Sequence, residues 1–228
     1  MARDTFLVRA ERIADAYGLV LTLIMVTFVV VATLPPEGWA GRAGAVAVAS
    51  LTGILGLSSS GVRPERMRLA VATGVLATAA AVLARVFESH AFEAIAFLLI
   101  ACLLTVTAGT ILRRVIYAAQ VEFRTILGAI SVYTLLGLLF DFVYLGVQRF
   151  QGGPFFANTP HAESGDFIFF SYTTLTTTGY GNLVPAGQVG QIISVLEMLS
   201  GQIFLVTLVA GLVSLWRPLR RSADSDPT

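Results

Sequence analysis

The sequence predicts an all-α membrane protein: six transmembrane helices, with a short re-entrant helix and a tight loop between the last two. Composition is the first observation behind this. Of 228 residues, 56% are hydrophobic and only 13% are charged, a balance foreign to soluble domains of this size. The second is length, since several stretches of about 18 residues or more carry almost no charge, as a membrane span requires. The third is the run Thr174 to Asn182, Thr-Leu-Thr-Thr-Thr-Gly-Tyr-Gly-Asn, set between two long apolar stretches.

The spans are justified in order. The first covers about Tyr17 to Leu34 and is stopped by Pro35-Pro36. Before it, Met1 to Asp15 is amphipathic and carries both signs of charge, so residues 1–14 read as a cytoplasmic interfacial segment with no cleavable leader. The second span, about Gly44 to Ser59, is rich in Gly, Ala and Ser, residues that let helices approach closely in lipid. The third covers about Leu69 to Phe87 and the fourth about Phe92 to Leu112. Residues 15–112 thus form a four-helix peripheral domain. Residues 113–124 read as an amphipathic connector along the inner interface. Residues 125–216 hold the fifth span (about Thr125 to Val147), a turret (Gln148 to Gly165), a short helix (about Asp166 to Thr176), the loop, and the sixth span (about Val189 to Trp216). A short cytoplasmic tail, 217–228, follows.

Orientation follows from the arginines, because cytoplasmic loops carry the excess of positive charge. With both termini inside, Arg3, Arg9, Arg12, Arg63, Arg66, Arg68, Arg113, Arg114, Arg124, Arg217, Arg220 and Arg221 are all cytoplasmic, and only Arg42, Arg85 and Arg149 lie outside. The loop then sits at the outer face of a plasma membrane. All 15 basic residues are Arg, which points to a GC-rich bacterial genome. A net charge of +1 gives no attraction to nucleic acid. The single Cys102 excludes an internal disulfide and reads as an inert buried thiol.

Gly179 and Gly181 allow backbone angles closed to other residues, so consecutive carbonyls of the loop can point one way. Four such loops around an axis would replace the water shell of a potassium ion with carbonyl oxygens. Thr177 would add a hydroxyl ring at the inner end. The run resembles the selectivity filter of tetrameric potassium channels, usually Thr-Val-Gly-Tyr-Gly-Asp, and the resemblance extends over residues 125–216.

The resemblance implies potassium held at Thr177, Thr178, Gly179, Tyr180 and Gly181, a homotetramer in a lipid bilayer, and no organic cofactor. It implies passive conduction rather than enzyme chemistry. Gly201, mid-way along the sixth span, matches the gating-hinge glycine of small bacterial channels; close helix packing explains it equally well. The stretch Glu197-x-x-x-Gly201-Gln202 also looks like a subset of those channels. The peripheral helices occupy the place of a voltage sensor, but span four carries no basic residue along its length. Moving one charge through the field contributes about 2.3 kcal/mol per 100 mV, so steep voltage gating is not expected.

Several positions depart from the family pattern. Thr178 replaces Val, Asn182 replaces Asp, Phe169 and Phe170 replace a Trp pair, and Thr173 stands where some members have Glu. In the family those Trp, Glu and Asp side chains form a hydrogen-bonded cuff. Here the support is expected from Phe170, Tyr172, Thr173, Thr174, Asn182 and Glu197, with Glu197 bonded to a hydroxyl such as that of Thr174. Asp141 is the other intramembrane acid. Such groups are costly and face a partner or a cavity; Arg149 is its candidate partner. Leu208, Leu212 and Leu215 recur at helical spacing and are candidates for a hydrophobic inner gate, with packing against span five as the alternative. His90 and His161 read as exposed loop residues.

The leading function is therefore a potassium-selective channel, open to an unidentified regulatory subunit. The alternatives are a weakly selective monovalent cation channel and the membrane subunit of a potassium transporter, although one filter-like loop per chain argues against the latter. A membrane enzyme would need a catalytic, metal-ligand or phosphate-binding constellation that the sequence lacks, and a bare scaffold would not need a filter.

Overall fold

The computed structural model describes residues 2–33, 39–60, 62–117 and 123–215. Seven helices follow one another: α1 (Ala2–Thr33), α2 (Trp39–Ser59), α3 (Pro64–Val86), α4 (His90–Ile116), α5 (Phe123–Phe150), α6 (Ser164–Leu175) and α7 (Gln188–Leu215). Among the described residues the only extended pairing is an isolated bridge between Phe156 and Pro185. Among the described residues four helices are long and apolar enough to cross a membrane: Pro64–Val86, His90–Ile116, Thr125–Phe150 and Gln188–Leu208. Two shorter apolar stretches, Gly18–Thr33 and Ala43–Ser59, lie in α1 and α2. The protein is an all-helical membrane protein.

Local chemistry explains the boundaries. Pro64 opens α3 at a position where its missing N–H costs nothing, with Glu65 in the first turn and Arg85 in the last, matching the helix dipole. The first turn of α6 is held by Asp166, whose carboxylate accepts from the Glu163 N–H at 2.8 Å. The amphipathic N-terminal segment is not separate from the first span; one continuous helix runs from Ala2. Of the expected connector, Arg113 to Ile116 prolong α4 and Phe123 opens α5, while residues 118–122 lie outside the described residues. The tail after Leu215 does so as well.

Helices α1 to α4 pack on their sequence neighbours, α2 also meets α4, and α4 lies along α5 over most of its length. The seams use small residues and hydroxyls, as lipid-embedded helices do. Thr27 of α1 and Thr52 of α2 share a buried 2.7 Å hydrogen bond. Thr107 of α4 donates to the Gly53 carbonyl at 3.1 Å. Helix α1 also reaches α5 and α6, where Phe28 meets the Tyr172 ring edge-on, centroids 5.3 Å apart. The peripheral helices thus pack against the 123–215 unit of their own chain through α1 and α4. Cys102 corrects its expectation: it is exposed on α4 rather than buried.

Candidate functional site

Helix α6, the loop after it and α7 form the site, and α5 is their platform. The buried face of α6 consists of Phe167, Ile168, Phe170, Ser171, Thr174 and Leu175. Phe167 and Phe170 join Tyr144, Phe155 and Phe156 in one aromatic cluster, with neighbouring centroids between 4.9 and 6.3 Å apart. Phe155 and Phe156 are almost wholly buried. The turret is therefore anchored by its own aromatic pair, which the sequence reading treated as loop. The signal was available: two adjacent Phe in an otherwise polar segment. The anchored turret pairs with the segment beyond the loop. Ala157 N–H donates to Val184 O at 2.9 Å and Ala186 N–H to Phe155 O at 2.8 Å.

The loop begins where α6 ends. A helix C-terminus leaves carbonyls without intrahelical donors, and here the loop supplies them. Thr177 N–H donates to Thr174 O at 2.9 Å. Thr178 N–H and Gly179 N–H both reach Thr173 O, at 2.8 and 3.2 Å. The Thr176 and Thr178 hydroxyls lie 2.8 Å apart. Along the loop, φ is +56° at Thr177, +53° at Gly179 and +78° at Gly181, while Thr178 and Tyr180 between them stay negative. Left-handed angles suit Gly but are rare for a β-branched residue, and Thr177 is one of only two such non-Gly positions among the described residues. Among the described residues, the carbonyls of 177–181 accept no hydrogen bond.

The expected supports divide. Phe170 is buried in the aromatic cluster, and Phe169 stacks on Tyr180 at 5.7 Å and 16°. Thr173 supports the loop through its main-chain carbonyl, while its hydroxyl donates back to Phe170 O at 3.0 Å. Tyr172 turns away from the loop and donates to Thr134 O of α5 at 2.7 Å. The side chain of Asn182 is exposed, and its carbonyl accepts from Asn158 Nδ2 at 2.5 Å. Asn158 was missed, because nothing in a polar turret marks the one residue that the fold brings beside the loop.

Glu197 is fully buried on α7. It is hydrogen-bonded to Tyr144 of α5, 2.5 Å from Oε2, and to Ser171 of α6, 2.5 Å from Oε1. The expected Thr174 lies one turn further along α6, so the correction follows from helical register. Asp141 is also fully buried, and neither carboxyl oxygen has a hydrogen-bond partner. Its expected pairing with Arg149 does not form. Arg149 stands two turns along α5, with Nε 2.9 Å from Glu93 Oε2 of α4.

Gly201 allows close approach: a Cβ there would overlap the Leu175 carbonyl oxygen at the end of α6. Leu208 lies on the packed face of α7, against the core. The side chains of Leu212 and Leu215 lie outside the described residues. The opposite face of α7 is open and apolar, with Ile192, Val195, Leu196, Leu199, Ile203 and Val206 exposed. His90 and His161 are exposed, and the described residues contain no cluster of metal-ligating side chains.

Residues 130–217 match the family described as ion channel. The chain is 32% identical over 84 residues to the potassium voltage-gated channel subfamily A member 10 of Mus musculus and of Homo sapiens, covering 35% of this chain and 16% of those proteins. The same identity and length relate it to subfamily A member 2 of Xenopus laevis, covering 17% of that protein. The chain therefore matches only about a sixth of the length of these relatives. No solved structure matches it.

Proposed function

We propose that the chain is one subunit of a homotetrameric potassium-selective channel, conducting passively through four copies of the 177–181 loop. The loop's hydrogen-bond economy carries this reading. Its first amides are spent on the carbonyls that end α6, while the carbonyls of 177–181 remain unclaimed. The loop is exposed in the single chain; enclosing it among four copies would take these acceptors away from water, and buried backbone acceptors need a partner. Alternating the sign of φ turns successive peptide planes in opposite senses, which brings their carbonyls to one side. A dehydrated potassium ion, shared by four chains, supplies the missing partner. The match over 130–217 and the names of the relatives agree with this reading.

In this reading Thr177, Thr178, Gly179, Tyr180 and Gly181 hold potassium. Residues 125–216 form the pore domain, α1 to α4 form a sensor-like domain without gating arginines, and six spans place both termini in the cytoplasm of a bacterial cell. Gly201 is the hinge candidate and Leu212 and Leu215 are the inner-gate candidates, while Leu208, packed against the core, fits the packing alternative. An unidentified regulatory subunit could supply the stimulus.

A second reading, a weakly selective cation channel, draws on the altered support. Phe169 and Phe170 cannot donate hydrogen bonds, so the cuff of the family pattern is replaced by Asn158 on Asn182 and by Thr173. Potassium and sodium flux into proteoliposomes, with external barium as blocker, separates the two. Barium-sensitive flux strongly favouring potassium is expected. Equal flux of both ions would support the second reading. A monomer without flux would overturn both.

A further inference from the structure

The cluster behind α6 contains more hydrogen-bond contacts than its hydroxyls can fill. Tyr144 Oη lies 2.5 Å from Glu197 Oε2 and, more distantly, 3.4 Å from Ser194 Oγ, whose own proton goes to Gly190 O at 2.8 Å. Ser171 Oγ lies 2.5 Å from Glu197 Oε1 and 2.7 Å from the Gly137 carbonyl oxygen. Each contact needs one proton between two oxygens. A carbonyl offers none, and each hydroxyl offers one. Tyr144 and Ser171 therefore supply two protons for three contacts. With an ionised Glu197, either Ser171 and Gly137 or Ser171 and Glu197 would face each other as two acceptors. Placing the third proton on Oε1 satisfies all three: Glu197 donates to Ser171, Ser171 to Gly137 O, and Tyr144 to Oε2.

The surroundings agree. Asp141 and Tyr133 from α5 and Tyr172 from α6 lie within electrostatic reach of Glu197. No cation pairs with Glu197 among the described residues, and a buried charge without a counter-ion is unfavourable.

We infer that Glu197 is a positioning residue held as a neutral carboxylic acid, whose own proton ties α7 to α6 and α6 to α5 directly behind the loop. The inference rests on the channel reading for its consequence, namely that ionising Glu197 loosens the loop's platform and stops conduction. The protonation itself is independent of that reading.

The test is infrared difference spectroscopy of the purified full chain in lipid, with flux measured on the same proteoliposomes. A carboxylic-acid C=O stretch that shifts in deuterium oxide should be present at neutral pH and absent from Glu197→Gln, with Asp141→Asn separating the other buried acid. Glu197→Gln keeps a donor and an acceptor, so it should conduct at neutral pH. Wild-type flux should be lost as the acid band titrates away at alkaline pH, while Glu197→Gln stays flat. If the variant does not fold, titration of the wild-type band in step with flux decides the matter. No acid band lost in Glu197→Gln, or a band that titrates without any change in flux, would overturn the inference. An unconducting wild type that retains the band would sink the channel reading and leave the protonation standing.

Discussion

Asn158 shows how a single side chain can matter to the loop without belonging to it. Its Nδ2 donates to the Asn182 carbonyl, just past the last left-handed residue, and so fixes the outer end of the loop to the turret. One such hydrogen bond is worth about 0.5–1.5 kcal/mol, roughly up to a tenfold change in an equilibrium. Asn158→Ala is expected to leave thermal unfolding nearly unchanged while lowering the potassium-to-sodium flux ratio by up to about tenfold. An unchanged ratio would assign outer-end support to the Phe169–Tyr180 stack instead. Thr177 is the converse case. A β-branched residue at φ +56° is strained, and its amide bond to Thr174 O helps hold it there.

At the scale of elements, α6 is held from three sides by different chemistry. Toward the turret the contact is aromatic, through Phe155, Phe156, Phe167 and Phe170. Toward α5 and α7 it is polar, through Ser171, Tyr172 and Glu197. Toward α1 it is the edge-on contact between Phe28 and Tyr172 and the close approach of Gly165 to the Ala32 carbonyl. The turret contact is built from four rings, and aromatic side chains contribute strongly to packing. Phe156→Ala should destabilise the protein by about 3–5 kcal/mol, seen as a lower melting temperature in detergent, and should release the bridge to Pro185. A melting temperature within error of wild type would mean that the turret folds independently of α6. The contact to α1 also gives the peripheral helices a direct route to α6, separate from α4 and its arginine-free span.

For the whole molecule, the open face of α7 is the main unfinished surface. Leu196 is 54% and Ile203 61% exposed, although this helix lies against the loop that four chains would share. In a fourfold assembly that face divides between the axis and the neighbouring chain. Leu196→Arg would set four like charges around the axis or one unpaired charge in each subunit seam, and either is unfavourable. The expected outcome is a shift from tetramer to monomer in native mass measurements, with helical content retained. An undiminished tetramer would place Leu196 against lipid. The sequence by itself determined the helical membrane class, the order of the apolar segments and the position of the loop, because hydropathy, arginine bias and the Gly-Tyr-Gly run are local signals that survive without knowledge of any contact. It also located Glu197 and Gly201 as positions needing an explanation. Only the tertiary structure decided that Glu197 meets Tyr144 and Ser171, that Arg149 meets Glu93 and leaves Asp141 unpaired, that Phe155 and Phe156 are core, and that Asn158 reaches Asn182. Each of these joins residues from different elements, and which hydroxyl, ring or amide faces which depends on helix rotation and crossing geometry, quantities that no single segment of sequence encodes.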